Sequence, residues 1–150
     1  MRRIKFKGYG VVLPKNTVSF KEHIRYRISE GETQLSLAVT ACEKALKNSN
    51  ISINDIDCIV SASAVGVQPI PCMAALIHEK IAKGTSIPAL DINTTCTSFI
   101  TALDTISYLL EAGRYERVLI VSCDVASSAL NPNQNESFQL FSDGAVAFVV

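Results

Sequence analysis

Cys96 is the residue of this chain whose type and position most clearly suggest covalent chemistry. It follows an apolar stretch that is predicted to be a strand, residues 88–93, and it precedes a helical pattern that runs to Gly113. These bounds predict that Cys96 lies in the first turn of the helix, where backbone N–H groups have no partner within the helix and the helix dipole is positive. That setting favours thiolate over thiol, and nucleophilic catalysis by cysteine requires a thiolate.

A cysteine in this position also has a second interpretation, as apolar filler of a core, because cysteine is among the most buried residue types. The other four cysteines are predicted to have that role. They are Cys42, Cys58, Cys72 and Cys123. All five are scattered along the chain, with no Cys-x-x-Cys pair and no histidine at ligand spacing, which argues against a disulfide framework and a zinc site. The cysteines therefore predict no metal, a reducing compartment and a cytoplasmic protein.

The charge balance argues against several classes of partner. Fourteen basic and fourteen acidic residues cancel, so no net field attracts nucleic acid or an anionic membrane surface. No uninterrupted apolar run approaches the roughly 20 residues that a membrane-spanning helix needs. With 48% hydrophobic residues among 150, the chain has ample material for the core of one domain. We therefore expect a soluble globular domain without nucleic-acid or membrane partners.

Strand-like and helix-like patterns alternate along most of the chain. Short apolar runs predict strands at 4–12, 58–62, 88–93, 118–121 and 145–150, and amphipathic patterns predict helices at 33–48, at 72–82 and from Cys96 to Gly113. The resulting order is βαβαβαββ. Alternation of this kind is typical of a mainly parallel sheet with helices on both faces. The predicted fold class is therefore α/β, with five strands in the sheet.

Two features predict that residues 1–150 are one half of a larger fold. The sequence stops at Val150, inside an apolar strand, whereas chain ends usually lie solvated at a surface. The helix after Cys96 also carries apolar residues around a broad arc, which favours a helix that is covered on two sides. The residues of this arc are Phe99, Ile100, Leu103, Ile106, Leu109 and Leu110. We therefore expect a further layer to pack on this helix.

Five segments resemble, in order and spacing, the 3-oxoacyl-(acyl carrier protein) synthase III family of condensing enzymes. Residues 91–99 (DINTTCTSF) resemble the nucleophile region of the family, with Cys96 as the nucleophile. Two earlier segments resemble its opening and second strands, and two later ones resemble the stretch after the nucleophile helix and a late glycine-rich turn. These four are 8–14 (GYGVVLP), 53–60 (INDIDCIV), 113–121 (GRYERVLIV) and 140–145 (LFSDGA). Their co-linear order makes the match specific, although each segment alone is a weak signal.

The resemblance implies a thiolase-like fold, in which two related βαβαβαββ halves form five layers, and residues 1–150 match the first, N-terminal half. It implies an acyltransferase of fatty acid biosynthesis. In this family the cysteine takes an acyl group from coenzyme A, and malonyl-(acyl carrier protein) then loses carbon dioxide and attacks the thioester in a decarboxylative Claisen condensation. No cofactor is implied, since acyl-coenzyme A and malonyl-(acyl carrier protein) are substrates. The implied partners are the acyl carrier protein and a second copy of the chain in a homodimer.

The resemblance also implies roles for individual residues. Cys96 is the acyl acceptor, and its own backbone N–H is one oxyanion donor. Arg25 and Arg27 occupy the place of an element that contacts coenzyme A, and both are expected to meet phosphate although the tryptophan usual there is missing. Ile70 corresponds to a loop residue that reaches the acyl pocket of the neighbouring subunit. Phe99, in the nucleophile segment, is assigned to substrate binding.

The family also uses a histidine and an asparagine that polarise the malonyl thioester, and both belong to the second half. His23 lies in a polar stretch and His78 lies off the apolar face of its predicted helix, so neither is assigned a catalytic role. The chain alone is therefore expected to be inactive. Asp91, Asp124 and Asp143 are predicted to be turn and capping residues rather than acids or bases.

Three alternatives are weighed against this interpretation. The missing tryptophan, together with Ser98, Ser142 and Val146 in place of glycines usual in the family, favours a related condensing enzyme of specialised metabolism with a different acyl donor. A non-catalytic thiolase-fold subunit would pair with an active partner and leave Cys96 unmodified. A nucleotide-binding α/β domain is disfavoured, because residues 8–10 (GYG) are followed by neither a third glycine nor the start of a helix.

Overall fold

The structure is a computed structural model that describes residues 3–21 and 23–150. Its strands are β1 (Gly8–Val12), β2 (Asn16–Phe20), β3 (His23–Arg27), β4 (Cys58–Ser61), β5 (Ala89–Asp91), β6 (Val118–Asp124) and β7 (Gly144–Val149). Its α-helices are α1 (Gln34–Ser49), α2 (Met73–Ile81), α3 (Ser98–Glu111) and α4 (Asn135–Leu140), and short 3₁₀ turns lie at Ile53–Asp55 and Ser127–Ala129. Within the described ranges, no helix combines the length and the hydropathy needed to cross a membrane.

Five strands form one sheet in the order β1-β7-β6-β4-β5. β4 pairs in parallel with β5 and β6, whereas β7 runs antiparallel to both of its neighbours, β6 and β1. Four of the five strands therefore run in the same direction. Parallel neighbours need long crossover connections, and α2 and α3 supply them between β4, β5 and β6. The predicted α/β class and the mainly parallel, five-stranded sheet are confirmed.

Helices cover both faces of this sheet. α1 and α2 pack on one face, where Leu37 and Ile77 are buried in the same cluster as Leu119 of β6. α3 packs on the opposite face, where Ile106 is buried with Ile120. Successive side chains of a strand point to opposite faces, so the adjacent residues of β6 serve two separate cores. This double burial explains why the central strands are continuously apolar in sequence.

Gly10 accounts for the close packing of β1 against α1. A Cβ atom added at Gly10 would lie 2.2 Å from the carbonyl oxygen of Ala41 in α1, which no real side chain tolerates. The start of α1 is fixed by a capping box, in which the Thr33 side chain accepts from the N–H of Ser36 and the Ser36 side chain accepts from the N–H of Thr33. The glycines of residues 8–10 thus serve helix packing, in line with the argument against a nucleotide-binding loop.

Two elements differ from the sequence prediction. β2 and β3 form a separate antiparallel hairpin in a stretch where no element was predicted. Its residues are mostly exposed or half-buried, so the apolar alternation that signals a strand is weak. The six-residue helix α4 was also not predicted, because it lies in the polar stretch before β7. The order βαβαβαββ holds for the main sheet and its three long helices, and it omits the hairpin and α4.

Candidate active site

Cys96 lies in the connection between β5 and α3, at the edge of the sheet where the parallel strands end. Helix α3 begins at Ser98, so Cys96 precedes the helix by two residues, and the prediction that it lies in the first turn is wrong. The difference arises because the helix starts only after a tight turn, with Thr97 as its N-cap residue. Within the described residues, the Thr97 side chain makes no cap hydrogen bond, and the N–H of Ser98 donates instead to the carbonyl of Thr95 at 3.1 Å.

Thr95 has an unusual backbone conformation immediately before Cys96. Its φ of 59° lies in the left-handed region, which β-branched residues rarely adopt. Such a conformation costs on the order of 1–3 kcal/mol and persists only where surrounding contacts hold it. Asn93 provides two of these contacts: its Oδ1 accepts from the N–H of Thr95 at 2.9 Å, and its Nδ2 donates to the carbonyl of Ala64 at 3.0 Å. The backbone strain therefore lies at Thr95, the residue that directs the main chain into Cys96.

Access to solvent separates Cys96 from the other cysteines. Cys96 is exposed, and Cys42, Cys58 and Cys123 are buried as predicted. Cys72, which was also predicted to fill the core, is only half-buried at its margin. Burial raises the pKa of the Cys42 and Cys58 thiols, and it raises the pKa of Cys123 to about 12. Buried neutral thiols are poor nucleophiles. In the described part of the chain, no group of three or more histidine, cysteine, aspartate or glutamate side chains is placed to hold a metal ion.

Cys96 borders an apolar cavity of about 750 Å³. Most of its wall consists of aliphatic or small side chains. The lining residues are Ile28, Glu32, Thr33, Gln34, Leu35, Ala64, Val65, Gly66, Val67, Thr95, Cys96, Val125, Ala126, Ser128, Ala129, Leu130 and Phe141. The cavity volume lies in the range of about 300–1,000 Å³ that is typical of small-molecule sites. An exposed thiol beside such a cavity is suited to hold a hydrocarbon group that is attached through sulfur.

Two segments far apart in sequence, 64–67 and 125–130, form much of this wall. Sequence analysis assigned the loop of Ile70 to the neighbouring subunit's pocket and assigned neither segment to a pocket of this chain. They meet because β4 and β6 are neighbours, so the residues that follow the two strands emerge side by side. Gln34 links them, since its Nε2 donates to the carbonyls of Val65 at 2.5 Å and Cys123 at 2.6 Å. One feature of the sequence could have indicated this wall. Both segments follow the carboxyl ends of parallel strands, which is where α/β sheets bind ligands.

Two of the predicted capping carboxylates bind main-chain N–H groups, and one of them, Asp124, supports the cavity wall. Asp124 Oδ1 accepts from the N–H groups of Ala64 at 2.9 Å and Val65 at 2.7 Å. Burial raises the pKa of this carboxyl, and the two N–H hydrogen bonds oppose that shift. Asp91 accepts from two N–H groups at the start of α2, at 3.0 and 2.8 Å. Their predicted role as capping and turn residues is confirmed.

The two arginines that were predicted to meet phosphate donate to main-chain carbonyls. Arg25 Nε donates to the carbonyl of Gln139 at 2.8 Å, and Arg27 Nη2 donates to that of Phe138 at 2.6 Å. Arg27 is buried, and its guanidinium carbon lies 5.3 Å from the centre of the Phe138 ring. These contacts hold α4 against β3. Phosphate binding by Arg25 and Arg27 stays a prediction.

Ile70 and Phe99 are not part of the cavity wall in the described structure. Ile70 lies in the loop before α2, and 87% of its surface is exposed. Phe99 is half-buried in α3, and its ring centre lies 5.3 Å from that of Phe148 in β7. The substrate contacts predicted for these two residues stay predictions.

Comparison with known proteins connects this arrangement to a family. A family model described as 3-oxoacyl-[acyl-carrier-protein (ACP)] synthase III matches residues 90–150, which include Cys96 and α3. Beta-ketoacyl-[acyl-carrier-protein] synthase III 3 of Streptomyces coelicolor is 34% identical over 84% of this chain and 37% of its own length. Beta-ketoacyl-[acyl-carrier-protein] synthase III of Bartonella tribocorum is 33% identical over the whole chain and 52% of its own length.

The fold leads to the same family. The solved structure of 3-oxoacyl-[acyl-carrier-protein] synthase III from Aquifex aeolicus matches with a TM-score of 0.90 and 29% identity, over 97% of this chain and 52% of the solved one. The chain thus spans about half the length, or less, of these relatives. The resemblance seen in the sequence is confirmed: residues 90–150 match the model of the 3-oxoacyl-(acyl carrier protein) synthase III family, and the chain is similar in sequence and fold to about half the length of its members.

Proposed function

We propose that this chain is the N-terminal, acyl-accepting half of a condensing enzyme, with Cys96 as the acyl acceptor. One observation carries the proposal. The exposed cysteine of the described structure lies at a strained turn before α3 and beside an apolar cavity of about 750 Å³. The relatives named above are synthases of 3-oxoacyl or beta-ketoacyl groups on acyl carrier protein, which supports the same role for this chain.

In the proposed reaction, the thiolate of Cys96 attacks the carbonyl carbon of an acyl-coenzyme A thioester. A new C–S bond forms, the tetrahedral oxyanion collapses, and coenzyme A leaves as a thiolate that takes up the proton lost by Cys96. Malonyl-(acyl carrier protein) then loses carbon dioxide, and the resulting carbanion attacks the Cys96 thioester. The products are 3-oxoacyl-(acyl carrier protein) and the free Cys96 thiolate. The histidine and asparagine that polarise the malonyl thioester are expected in the second half.

The cavity favours an uncharged acyl group. Val65, Val125 and Leu130 contribute aliphatic surface, and burial of apolar area there contributes about 25 cal/mol per Å². The charged lining residue, Glu32, already accepts hydrogen bonds from the N–H and hydroxyl of Ser29. A carboxylate-bearing acyl group would lose its hydration against such a wall. We therefore expect Cys96 to be acylated faster by acetyl- or isobutyryl-coenzyme A than by succinyl-coenzyme A at equal concentration.

The proposed partners are the acyl carrier protein and a second copy of the chain, in the cytoplasm. One surface supports a further covering layer on α3. Ile100 and Tyr108 lie eight residues apart on one face of this helix and are 66% and 56% exposed. Exposed apolar side chains at this spacing are typical of a helix that packs on both sides. We propose that the second half of the enzyme covers this face and that the chain alone does not turn over.

A condensation assay tests the proposed function. The full-length protein is incubated with acyl-coenzyme A and malonyl-(acyl carrier protein), and 3-oxoacyl-(acyl carrier protein) is detected by mass spectrometry. We expect product from the wild type and from Cys72→Ser, a control that removes a half-buried thiol, and no product from Cys96→Ser. Product formation by Cys96→Ser at the wild-type rate would contradict the proposal. A wild-type protein that neither becomes acylated nor condenses would support a non-catalytic thiolase-fold subunit.

A further inference from the structure

The hydroxyl group of Ser98 lies at the centre of the turn that carries Cys96. Its Oγ accepts a hydrogen bond from the N–H of Thr94 at 3.0 Å and donates to the carbonyl of Thr95 at 2.6 Å. The same Oγ lies 3.3 Å from the carbonyl oxygen of Ser63, in the connection after β4. Ser98 is only 2% exposed, although Thr94 and Thr95 themselves lie at the surface.

The contact with Thr95 acts on the peptide unit that enters Cys96. The carbonyl of Thr95 and the N–H of Cys96 belong to one planar, trans peptide group and point in opposite directions. A hydroxyl group that fixes the carbonyl therefore fixes the direction of the Cys96 N–H. This peptide follows a residue with a φ of 59°, whose conformation persists only while neighbouring contacts hold it.

Ser98 also packs against Ser63, which is itself anchored to the sheet. The Ser63 hydroxyl accepts a hydrogen bond from the N–H of Cys123 at 2.9 Å, and Cys123 is a buried residue of β6. A chain of contacts thus runs from the central strand β6 through Ser63 and Ser98 to the turn. A site supported in this way from a rigid element keeps its geometry during reaction.

We propose that Ser98 is a positioning residue, whose hydroxyl holds the Thr95–Cys96 peptide so that the N–H of Cys96 points to the oxyanion formed during acyl transfer. The inference rests on the proposed function of Cys96. Without the hydroxyl, the N–H of Thr94 loses its partner, the carbonyl of Thr95 keeps only the N–H of Ser98 at 3.1 Å, and the turn relaxes. Removing one oxyanion donor slows acyl transfer by about 100- to 1,000-fold, so misdirecting one should slow it by about 10- to 100-fold.

Two reactions of the same thiol separate positioning from general damage. Acylation of Cys96 by acetyl- or isobutyryl-coenzyme A passes through an oxyanion, whereas alkylation by iodoacetamide is a direct displacement and forms none. Both rates are measured on the full-length protein, by mass spectrometry under single-turnover conditions. Ser107→Ala is the matched control, because it removes another buried hydroxyl of α3, one that donates to the carbonyl of Asp104 at 2.6 Å.

We expect Ser98→Ala to lower the saturating acylation rate by about 10- to 100-fold while its alkylation rate changes by less than about threefold. The half-saturating concentration of the acyl donor should stay unchanged, and Ser98→Thr, which keeps a hydroxyl, should restore most of the rate. Ser98→Gly also lacks the hydroxyl and gives the same readout if the alanine variant does not fold.

Three outcomes would overturn the inference. Wild-type acylation by Ser98→Ala and Ser98→Gly would show that the hydroxyl is not needed. Equal effects of Ser98→Ala and Ser107→Ala, or a parallel fall in acylation and alkylation, would indicate a general structural role. A wild-type protein whose Cys96 is alkylated but never acylated would overturn the proposed function, and this inference with it.

Discussion

Asp143 is a buried carboxylate that joins three segments around the Cys96 cavity, and its loss should weaken the fold measurably. It is 1% exposed. Its Oδ2 accepts from the N–H of Ile28 at 2.9 Å and from the hydroxyl of Ser127, and its Oδ1 accepts from the N–H of Ser127 at 3.0 Å. Ile28 follows β3, Ser127 follows β6 and Asp143 precedes β7, so one side chain holds three connections together.

The size of the effect follows from these three hydrogen bonds. Hydrogen bonds to charged groups contribute about 1.5–3 kcal/mol each, so their loss in Asp143→Ala amounts to about 4.5 kcal/mol at the lower end. Removing a buried carboxylate also removes the cost of its desolvation, which offsets part of that loss. We therefore expect Asp143→Ala to lower the free energy of unfolding by about 3–4 kcal/mol, a large fraction of the roughly 5–15 kcal/mol typical of a domain.

Urea unfolding followed by circular dichroism measures this difference. Asp55→Ala is the control, because Asp55 is an exposed aspartate of a 3₁₀ turn, and its substitution should change the free energy of unfolding by no more than about 0.5 kcal/mol. A loss below about 1 kcal/mol in Asp143→Ala would refute the inference that this carboxylate joins the three connections.

Two further substitutions test the packing and the electrostatics of the fold. Gly10→Ala places a Cβ 2.2 Å from the Ala41 carbonyl oxygen, whereas a Cβ at Gly66 would lie 3.5 Å from its nearest neighbour. In urea unfolding, we expect Gly10→Ala to lower the free energy of unfolding by at least about 2 kcal/mol and the control Gly66→Ala to change it little. Burial raises the pKa of Asp124, so its ionisation costs stability as the pH rises through that pKa. In urea unfolding, Asp124→Asn should therefore be at least as stable as the wild type at pH 7, and any advantage should disappear below the ordinary carboxyl pKa of 3.8. A stability advantage of the variant that grows as the pH falls would contradict this expectation.

The main elements of the fold could be predicted because their patterns report burial directly. β4 and β6 are buried on both faces, so their sequences are continuously apolar, and α1 and α3 show the helical period of an apolar face. β6 extends beyond the predicted Val121 to Asp124, because half-buried Ser122 hides the end of the strand. The β2–β3 hairpin was missed because polar side chains occupy much of it and hide any alternation.

The site could be predicted only in part. Cys96 was identified from its position between a strand and a helix, yet the turn before it was not, because a left-handed threonine contradicts the local preference of a β-branched residue. Side-chain hydrogen bonds of Asn93 and Ser98 hold that conformation, and Asn93 is in turn bound to the distant carbonyl of Ala64. The cavity could not be assembled from local patterns either, because segments 64–67 and 125–130 meet only through the pairing of β4 with β6.

Peptide mapping of the acylated protein shows whether Cys96 is the residue that accepts the acyl group. The full-length protein is incubated briefly with acyl-coenzyme A, digested with trypsin and analysed by mass spectrometry. Residues 84–114 form a tryptic peptide with Cys96 as its only cysteine, and residues 48–80 form one with Cys58 and Cys72. If Cys96 is the acyl acceptor, we expect the acyl mass on peptide 84–114 and not on peptide 48–80. An acyl group on peptide 48–80, with 84–114 unmodified, would contradict this assignment.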